Sequence, residues 1–168
     1  ALTFILEPQF LGEQKSKAAQ LGLRSLLSLG IQPDIVACRS FHPVTEKVRE
    51  KISVYSNVPI GRVVGVHDCD SIYTIPPLLK EAKIDRSILK ILGLEDKVDL
   101  KKEVSAEKEW GSYLSNLKSS DKEVVIGITG KYTTIRDSYA SIIHALEHAG
   151  THCQHKVKIR WIETTSIE

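Results

Sequence analysis

Apolar residues recur at helical spacing from residue 12 to residue 29: Ala19, Leu23, Leu26 and Leu27 share one stripe, and Gly30 follows as a C-terminal cap does. The pattern predicts a helix over 12–29 with one buried face. The next apolar run has no such period. Asp34-Ile-Val-Ala-Cys-Arg39, bounded by Pro33 and Ser40, has the form of an interior parallel strand. Thr45 then stands as the N-cap of a charged helix through Ser53, and Arg62-Val-Val-Gly-Val-His67 reads as a second interior strand ending in Asp68-Cys69-Asp70. Helix and strand in alternation imply a parallel sheet wrapped by helices, an α/β fold. Pro76 and Pro77 can open a helix through Leu79 to Ala82, and Asp85 can cap another through Leu92.

The pattern changes at Leu94. From there to Lys122 the chain is rich in Lys, Glu, Asp and Ser, with Trp110, Tyr113, Leu114 and Leu117 as spaced anchors of an amphipathic connecting helix. Glu123-Val-Val-Ile-Gly-Ile-Thr129 predicts a fresh strand, followed by a helix from about Asp137 to His148 and a strand over Lys156 to Ile162. Three segments result: residues 1–97, a linker over 98–122, and a βαβ unit over 123–168. One such unit cannot bury both faces of a doubly wound sheet, so the chain is expected to stop within a domain at Glu168. No internal repeat is visible.

Composition narrows the function classes. With 168 residues, 42% hydrophobic and 26% charged, the chain can build a packed core and is neither disordered nor fibrous. A formal net charge of +2 gives no global field for nucleic acid, so any anion site must be local. Cys38, Cys69 and Cys153 lie far apart without a CxxC pair, which points to reduced thiols in a cytoplasmic chain. No apolar run is long enough to span a membrane, and Ala1 to Phe10 lacks the basic start of a targeting segment. The lack of any Met, an initiator included, leads us to expect a chain trimmed or cut from something larger.

Candidate chemistry is sparse. Lys15, Lys17 and Gln20 beside a helix start combine two ammonium groups and a carboxamide with free backbone N–H groups, which together can hold a polyphosphate. Taken blind, paired lysines there are ordinary solvated surface, and so is Lys51 within Arg49-Glu50-Lys51. His67, Asp68 and Cys69 follow a buried strand, and ligands of open parallel sheets sit beyond carboxyl ends of strands. Asp68 and Asp70 suggest a metal pair less than they suggest a cap, with Asp70 starting the next segment. Gly127-Ile-Thr-Gly-Lys131 fails as a phosphate loop, having two residues between its glycines where four are needed and Tyr132 after the lysine. His144-Ala-Leu-Glu-His148 matches an inverted zinc-peptidase string, with His152, Cys153 and His155 close behind. Ile142, Ile143, Leu146 and Ala149 are expected to form the buried face there, which turns His144 and His148 outward without a dry cavity for zinc.

Four segments together resemble the CTP synthase family: Gly12-Glu-Gln-Lys-Ser-Lys-Ala-Ala-Gln20, Leu29-Gly-Ile-Gln-Pro-Asp-Ile-Val-Ala-Cys-Arg-Ser40, Lys51-Ile-Ser-Val-Tyr-Ser-Asn-Val-Pro59 and Asp70-Ser-Ile-Tyr-Thr-Ile-Pro-Pro-Leu-Leu79. Gly130-Lys-Tyr and Asp137-Ser-Tyr-Ala-Ser-Ile-Ile-His-Ala-Leu-Glu-His148 are similar to the first strand exit and first helix of that family's glutaminase domain. The resemblance implies a P-loop or Rossmann-like amidoligase part, in its C-terminal stretch, over 1–97 and the start of a class I glutaminase domain over 123–168. It implies ATP-dependent amination of UTP to CTP with ammonia from glutamine, in pyrimidine nucleotide synthesis. Partners implied are UTP, CTP as feedback inhibitor, ATP with magnesium, glutamine, GTP as effector and a homo-oligomer, dimer or tetramer, with neither nucleic acid nor membrane. On the family's motif, Lys15, Ser16, Lys17, Ala18, Ala19 and Gln20, joined by Lys51, would hold UTP or CTP, and His67, Asp68 and Cys69 would touch ATP. Ser16, Ala18 and Ala19 depart from that motif: serine keeps a hydroxyl, while the alanines lose a helix-entry proline and a second hydroxyl. No catalytic residue and no magnesium ligand is expected in this chain, so alone it would be inert. Two other classes compete: a catalytically dead α/β nucleotide-binding or assembly module, and a zinc hydrolase.

Overall fold

In a computed structural model, which describes residues 1–8, 10, 12–119 and 122–165, three parallel strands form the first unit's sheet. They are β1 (Leu2–Phe4), β2 (Val36–Ser40) and β3 (Val63–His67), in spatial order β1-β2-β3. Registers such as Thr3 with Cys38 and Cys38 with Gly65 bring the carboxyl ends of all three to one edge, with Ser40 opposite His67. The strands expected at 34–39 and 62–67 are therefore present with small shifts, whereas β1 was not anticipated. Its residues are few and partly exposed, but Leu-Thr-Phe followed by the fully buried Ile5 carries the signal of a short strand.

Helix α1 (Lys17–Ser28) and helix α2 (Glu46–Ser56) connect these strands and pack against each other. Ala19 and Leu23 from α1 and Val48 and Ile52 from α2 meet Ile5, Val36, Cys38, Val58 and Val63 in one buried cluster. The first helix does not begin at residue 12 as its periodicity suggested. Gly12 adopts φ +60°, and Lys15 is extended, exchanging backbone hydrogen bonds with Leu6 at 2.8 and 3.3 Å. That pairing withholds residues 12–16 from the helix. At the other end Gly30 does close it: with φ +78° it lets its own N–H reach Leu27 O at 2.9 Å and the Ile31 N–H reach Leu26 O at 3.2 Å.

Thr45 does precede α2, in extended conformation, but the helix runs past Ser53 to Ser56. Asn57 ends it in the left-handed region with φ 54°, and the Val58 N–H reaches Ser53 O at 3.2 Å. Beyond β3, Ser71 rather than Asp70 caps the following turn, its hydroxyl accepting from the Tyr73 N–H at 3.3 Å. Helix α3 (Ile75–Glu81) starts on Pro76 and Pro77, which suit a first turn that needs no donor. Helix α4 (Ile84–Leu92) begins one residue before Asp85, with Lys83 at φ 56° in the cap position; Asp85 lies inside the first turn.

The chain divides into two compact units, residues 1–98 and 99–168. In the second, the charged segment forms α5 (Leu100–Ser119), shorter than the 94–122 stretch expected, because residues 95–97 make a separate turn. Strands β4 (Lys122–Gly130) and β5 (His155–Glu163) pair in parallel, joined through α6 (Ala140–His152). The helix begins after a separate turn over Arg136–Tyr139 and extends past His148. Side chains of β5 alternate strictly up to Trp161, with Lys156, Lys158 and Arg160 exposed between half-buried neighbours. Among the described residues no helix is long and apolar enough to cross a membrane.

Candidate functional site

Two helix starts face one cleft in the first unit. The sharp stretch before α1 brings Lys15, Ser16, Lys17 and Gln20 to its wall, and the first two turns of α2 bring Lys47 and Lys51. The cleft measures about 1070 Å³ and is also lined by Glu7, Glu13, Gln14, His42 and Tyr55. Four lysines thus surround a space next to the first turn of α1, which carries no acidic residue and no side-chain cap. Unsatisfied N–H groups, the helix dipole and these ammonium groups all favour a bound anion.

Lys15, Lys17 and Gln20 are neighbours in sequence, and the fold adds Lys51, 31 residues beyond Gln20, from α2. Ser16 is almost fully buried, and its hydroxyl accepts from Gln20 Nε2 at 2.9 Å, which fixes the carboxamide against the loop. Ala18 is exposed and does not line the cleft, while Ala19 is 2% exposed and belongs to the core. Position 19 thus serves packing: it lies one turn before Leu23 on the buried stripe.

The residues that sequence reasoning missed are those that set the shape of this cleft. Gln14 donates through Nε2 to Glu7 Oε1 at 3.2 Å and to Pro43 O at 3.0 Å, and its Oε1 accepts the Thr45 N–H at 2.9 Å. One carboxamide therefore ties the segment after β1 to the loop between β2 and α2. His42 completes the tie, its backbone N–H reaching Glu7 Oε1 at 3.1 Å and its ring Nδ1 lying 2.6 Å from Oε2. Burial pushes the Glu7 carboxyl up, but these hydrogen bonds from His42 and Gln14 outweigh it and hold Glu7 below its ordinary value. Partners 7, 14, 42 and 45 share no motif and no spacing that the sequence alone could reveal.

At the carboxyl end of β3, His67 is half-buried and Asp68 and Cys69 are exposed. His67 lines a second, smaller cleft of about 360 Å³ with Val44, Arg49 and Leu78, in which neither Asp68 nor Cys69 takes part. Asp68 instead forms an ion pair with Arg39, and its N–H donates to Ser40 O at 3.1 Å. Cys69 Sγ lies 3.2 Å from His67 O. Pro43 borders both clefts.

Among the described residues no group of three or more His, Cys, Asp or Glu side chains comes close enough to hold a metal ion. The His144 to His148 string lies in α6, where Ile142 and Ala149 are exposed and Gly150 and Thr151 are the buried positions. The buried face is thus rotated from the one expected, and His144 is half-buried, its Nδ1 3.5 Å from Glu147 Oε2. His148 stands edge-on to Tyr113, with ring centroids 6.1 Å apart.

Comparison with known proteins bears on the first unit most directly. Residues 1–94 match the family model described as CTP synthase N-terminus. Over 168 residues the chain is 43% identical to the CTP synthase of Buchnera aphidicola, covering 99% of this chain and 29% of that protein. It is 40% identical to the CTP synthase of Thermococcus gammatolerans, covering 99% and 30%, and 38% identical over 167 residues to that of Candida glabrata, covering 97% and 29%. The chain spans about three tenths of the length of these relatives. What the family match assigns to residues 1–94 is the N-terminal region; it gives neither a C-terminal stretch within that region nor the opening of a glutaminase domain.

Proposed function

The chain belongs to the CTP synthase family, and from that premise we propose that its lysine-lined cleft holds the triphosphate of UTP, and of CTP as inhibitor, in an enzyme that aminates UTP. The observation that carries this reading is the meeting of Lys15, Lys17 and Gln20 with Lys51 around one space at the start of α1. Ammonium groups on two walls can neutralise three phosphates, and the helix start supplies backbone donors at the same place. Held by its phosphates, the nucleotide is fixed in position and its uracil can meet a reactant delivered from elsewhere. Such positioning converts an encounter between molecules into a local step.

In this proposal ATP phosphorylates O4 of UTP, and ammonia released from glutamine displaces the phosphate. His67, with Asp68 and Cys69 following it, stands at the carboxyl edge of the parallel sheet, where ATP contacts are proposed. Magnesium would assist the phosphoryl transfer, with its ligands proposed to lie outside this chain. The activity belongs to a larger protein in the cytoplasm, of which residues 1–97 are proposed as the later part of the amidoligase domain, 98–122 as a linker and 123–168 as the opening of the glutaminase domain. Identity with these relatives runs over 168 residues, about three tenths of their length, while the N-terminus match ends at residue 94, which supports a second region beyond it. GTP activation and assembly into dimers or tetramers complete the proposal.

Equilibrium binding of UTP to the intact protein tests the site. Lys15→Ala and Lys51→Ala should each weaken it about tenfold or more, the loss of one charge-assisted contact. Unchanged affinity in both variants removes the cleft as the nucleotide site.

A further inference from the structure

The cleft already contains an anion of its own. Glu13, two residues before Lys15 in the stretch that precedes α1, forms an ion pair with the Lys15 ammonium inside the cleft wall. Both side chains remain substantially exposed, Lys15 at 42% and Glu13 at 60%. The pair therefore faces the open space rather than the core. A hydrogen bond from Lys15, then the charge of Lys15, then those of Lys47 and Lys51 on α2 hold the Glu13 carboxyl below its usual range. Glu13 thus pairs with Lys15 in the same cleft that Lys17, Lys47 and Lys51 line.

We propose that Glu13 is a resident counter-anion that occupies the phosphate position between Lys15 and the α2 lysines and is displaced when a triphosphate enters. The inference deepens the nucleotide reading and rests on it. Without a ligand, four ammonium groups and a bare helix start would repel one another across the cleft, and Lys47 and Lys51 stand four apart on one helix face, where like charges destabilise. A carboxylate on the same loop relieves this. Because the pair is exposed, breaking it is easy, so Glu13 tunes affinity without closing the site. It would weaken all polyphosphates alike, since it competes for the phosphate position and not for the base. Lys47 then counts as a further phosphate-facing cation that the family motif does not include.

The test measures binding of UTP and of inorganic triphosphate to the intact protein and to Glu13→Gln, Glu13→Asp and Lys15→Ala variants. Glu13→Gln should bind both probes roughly twofold to fivefold more tightly, as expected when a surface ion pair no longer competes. Glu13→Asp should stay close to the parent protein. In the Lys15→Ala background the gain from Glu13→Gln should shrink, since the ion pair is already absent. Weaker or unchanged binding in Glu13→Gln, or a gain for UTP but none for bare triphosphate, overturns the counter-anion. Unchanged binding in both Lys15→Ala and Lys51→Ala overturns the nucleotide site itself, a separate failure.

Discussion

The two units use the same βαβ grammar and reach different degrees of burial. In the three-stranded unit Ile5, Val36, Cys38 and Ile52 are fully buried, while in the two-stranded unit the buried positions among the described residues are Thr133, Gly150 and Thr151. The cause is geometric. A middle strand flanked on both edges has α1 and α2 packed over its Val36 and Cys38 face, whereas β4 and β5 each have one paired edge. Val125 and Ile162 remain exposed as a result. The unit with a dry core is also the unit with the lysine cleft, and a rigid frame is what holds four cations around one space.

The largest expected effect separates the cores directly. Ile52→Ala removes a fully buried side chain and should destabilise the first unit by about 3 kcal/mol, whereas Leu146→Ala, half-buried in α6, should cost only about 1 kcal/mol in the second. Amide hydrogen exchange followed strand by strand in the intact protein distinguishes them, because each loss falls on its own unit. Equal losses would mean that exposure does not report core strength here.

A pair of glycines sharpens the same contrast from the helix side. Gly150 lies where α6 meets β5, and an added methyl group would come within 2.6 Å of Val157 Cγ2 and 2.7 Å of His155 O. Gly150→Ala should therefore destabilise the second unit by about 1–3 kcal/mol through overpacking. Gly22 lies on the exposed side of α1 with nothing within 4 Å of that position. Gly22→Ala should stabilise the first unit by about 0.5–1 kcal/mol, the helix propensity difference. Thermal unfolding of the two variants gives opposite signs if the packing is as described.

Elements with a long apolar period were legible in the sequence, and those made by distant partners were not. The strands at Val36–Ser40 and Val63–His67 announce themselves by continuous apolar runs, and α1 by its stripe and Gly30. The start of α1 was misjudged because an apolar stripe cannot show that Lys15 is engaged by Leu6, a residue outside the pattern. Lys15, Lys17 and Gln20 were named through the motif they resemble, local spacing alone reading them as solvated surface, whereas the Gln14 tie to Glu7, Pro43 and Thr45 joins two separate connections and has no periodic trace. Ala19 was assigned by motif to ligand contact, although its buried position was readable from its spacing to Leu23.

The smallest expected effect concerns a carboxylate that each unit places beyond or at the end of a parallel strand. Glu7 follows β1 and gathers a Gln and a His, while Glu163 ends β5 and gathers two threonines. Glu163 accepts the Thr133 N–H at 3.1 Å, the Thr133 hydroxyl at 2.8 Å, the Thr165 N–H at 3.2 Å and the Thr165 hydroxyl. Hydrogen bonds from the Thr165 side chain first, then from Thr133, pull its carboxyl down from 4.5 to about 2. Because the folded value lies below the unfolded one, this support is complete above the ordinary carboxylate range and is lost as the pH falls from about 4.5 toward 2. None of its donors titrates there, so the loss should appear as one step in carboxyl NMR and in protection of the Thr133 amide. Glu163→Gln should remove that step. At Glu7 burial raises the carboxyl, but hydrogen bonds from His42 and Gln14 outweigh it, so the support they give is likewise lost as the pH falls below the ordinary carboxylate range. A step that persists in Glu163→Gln would assign it to another group and remove Glu163 from the comparison.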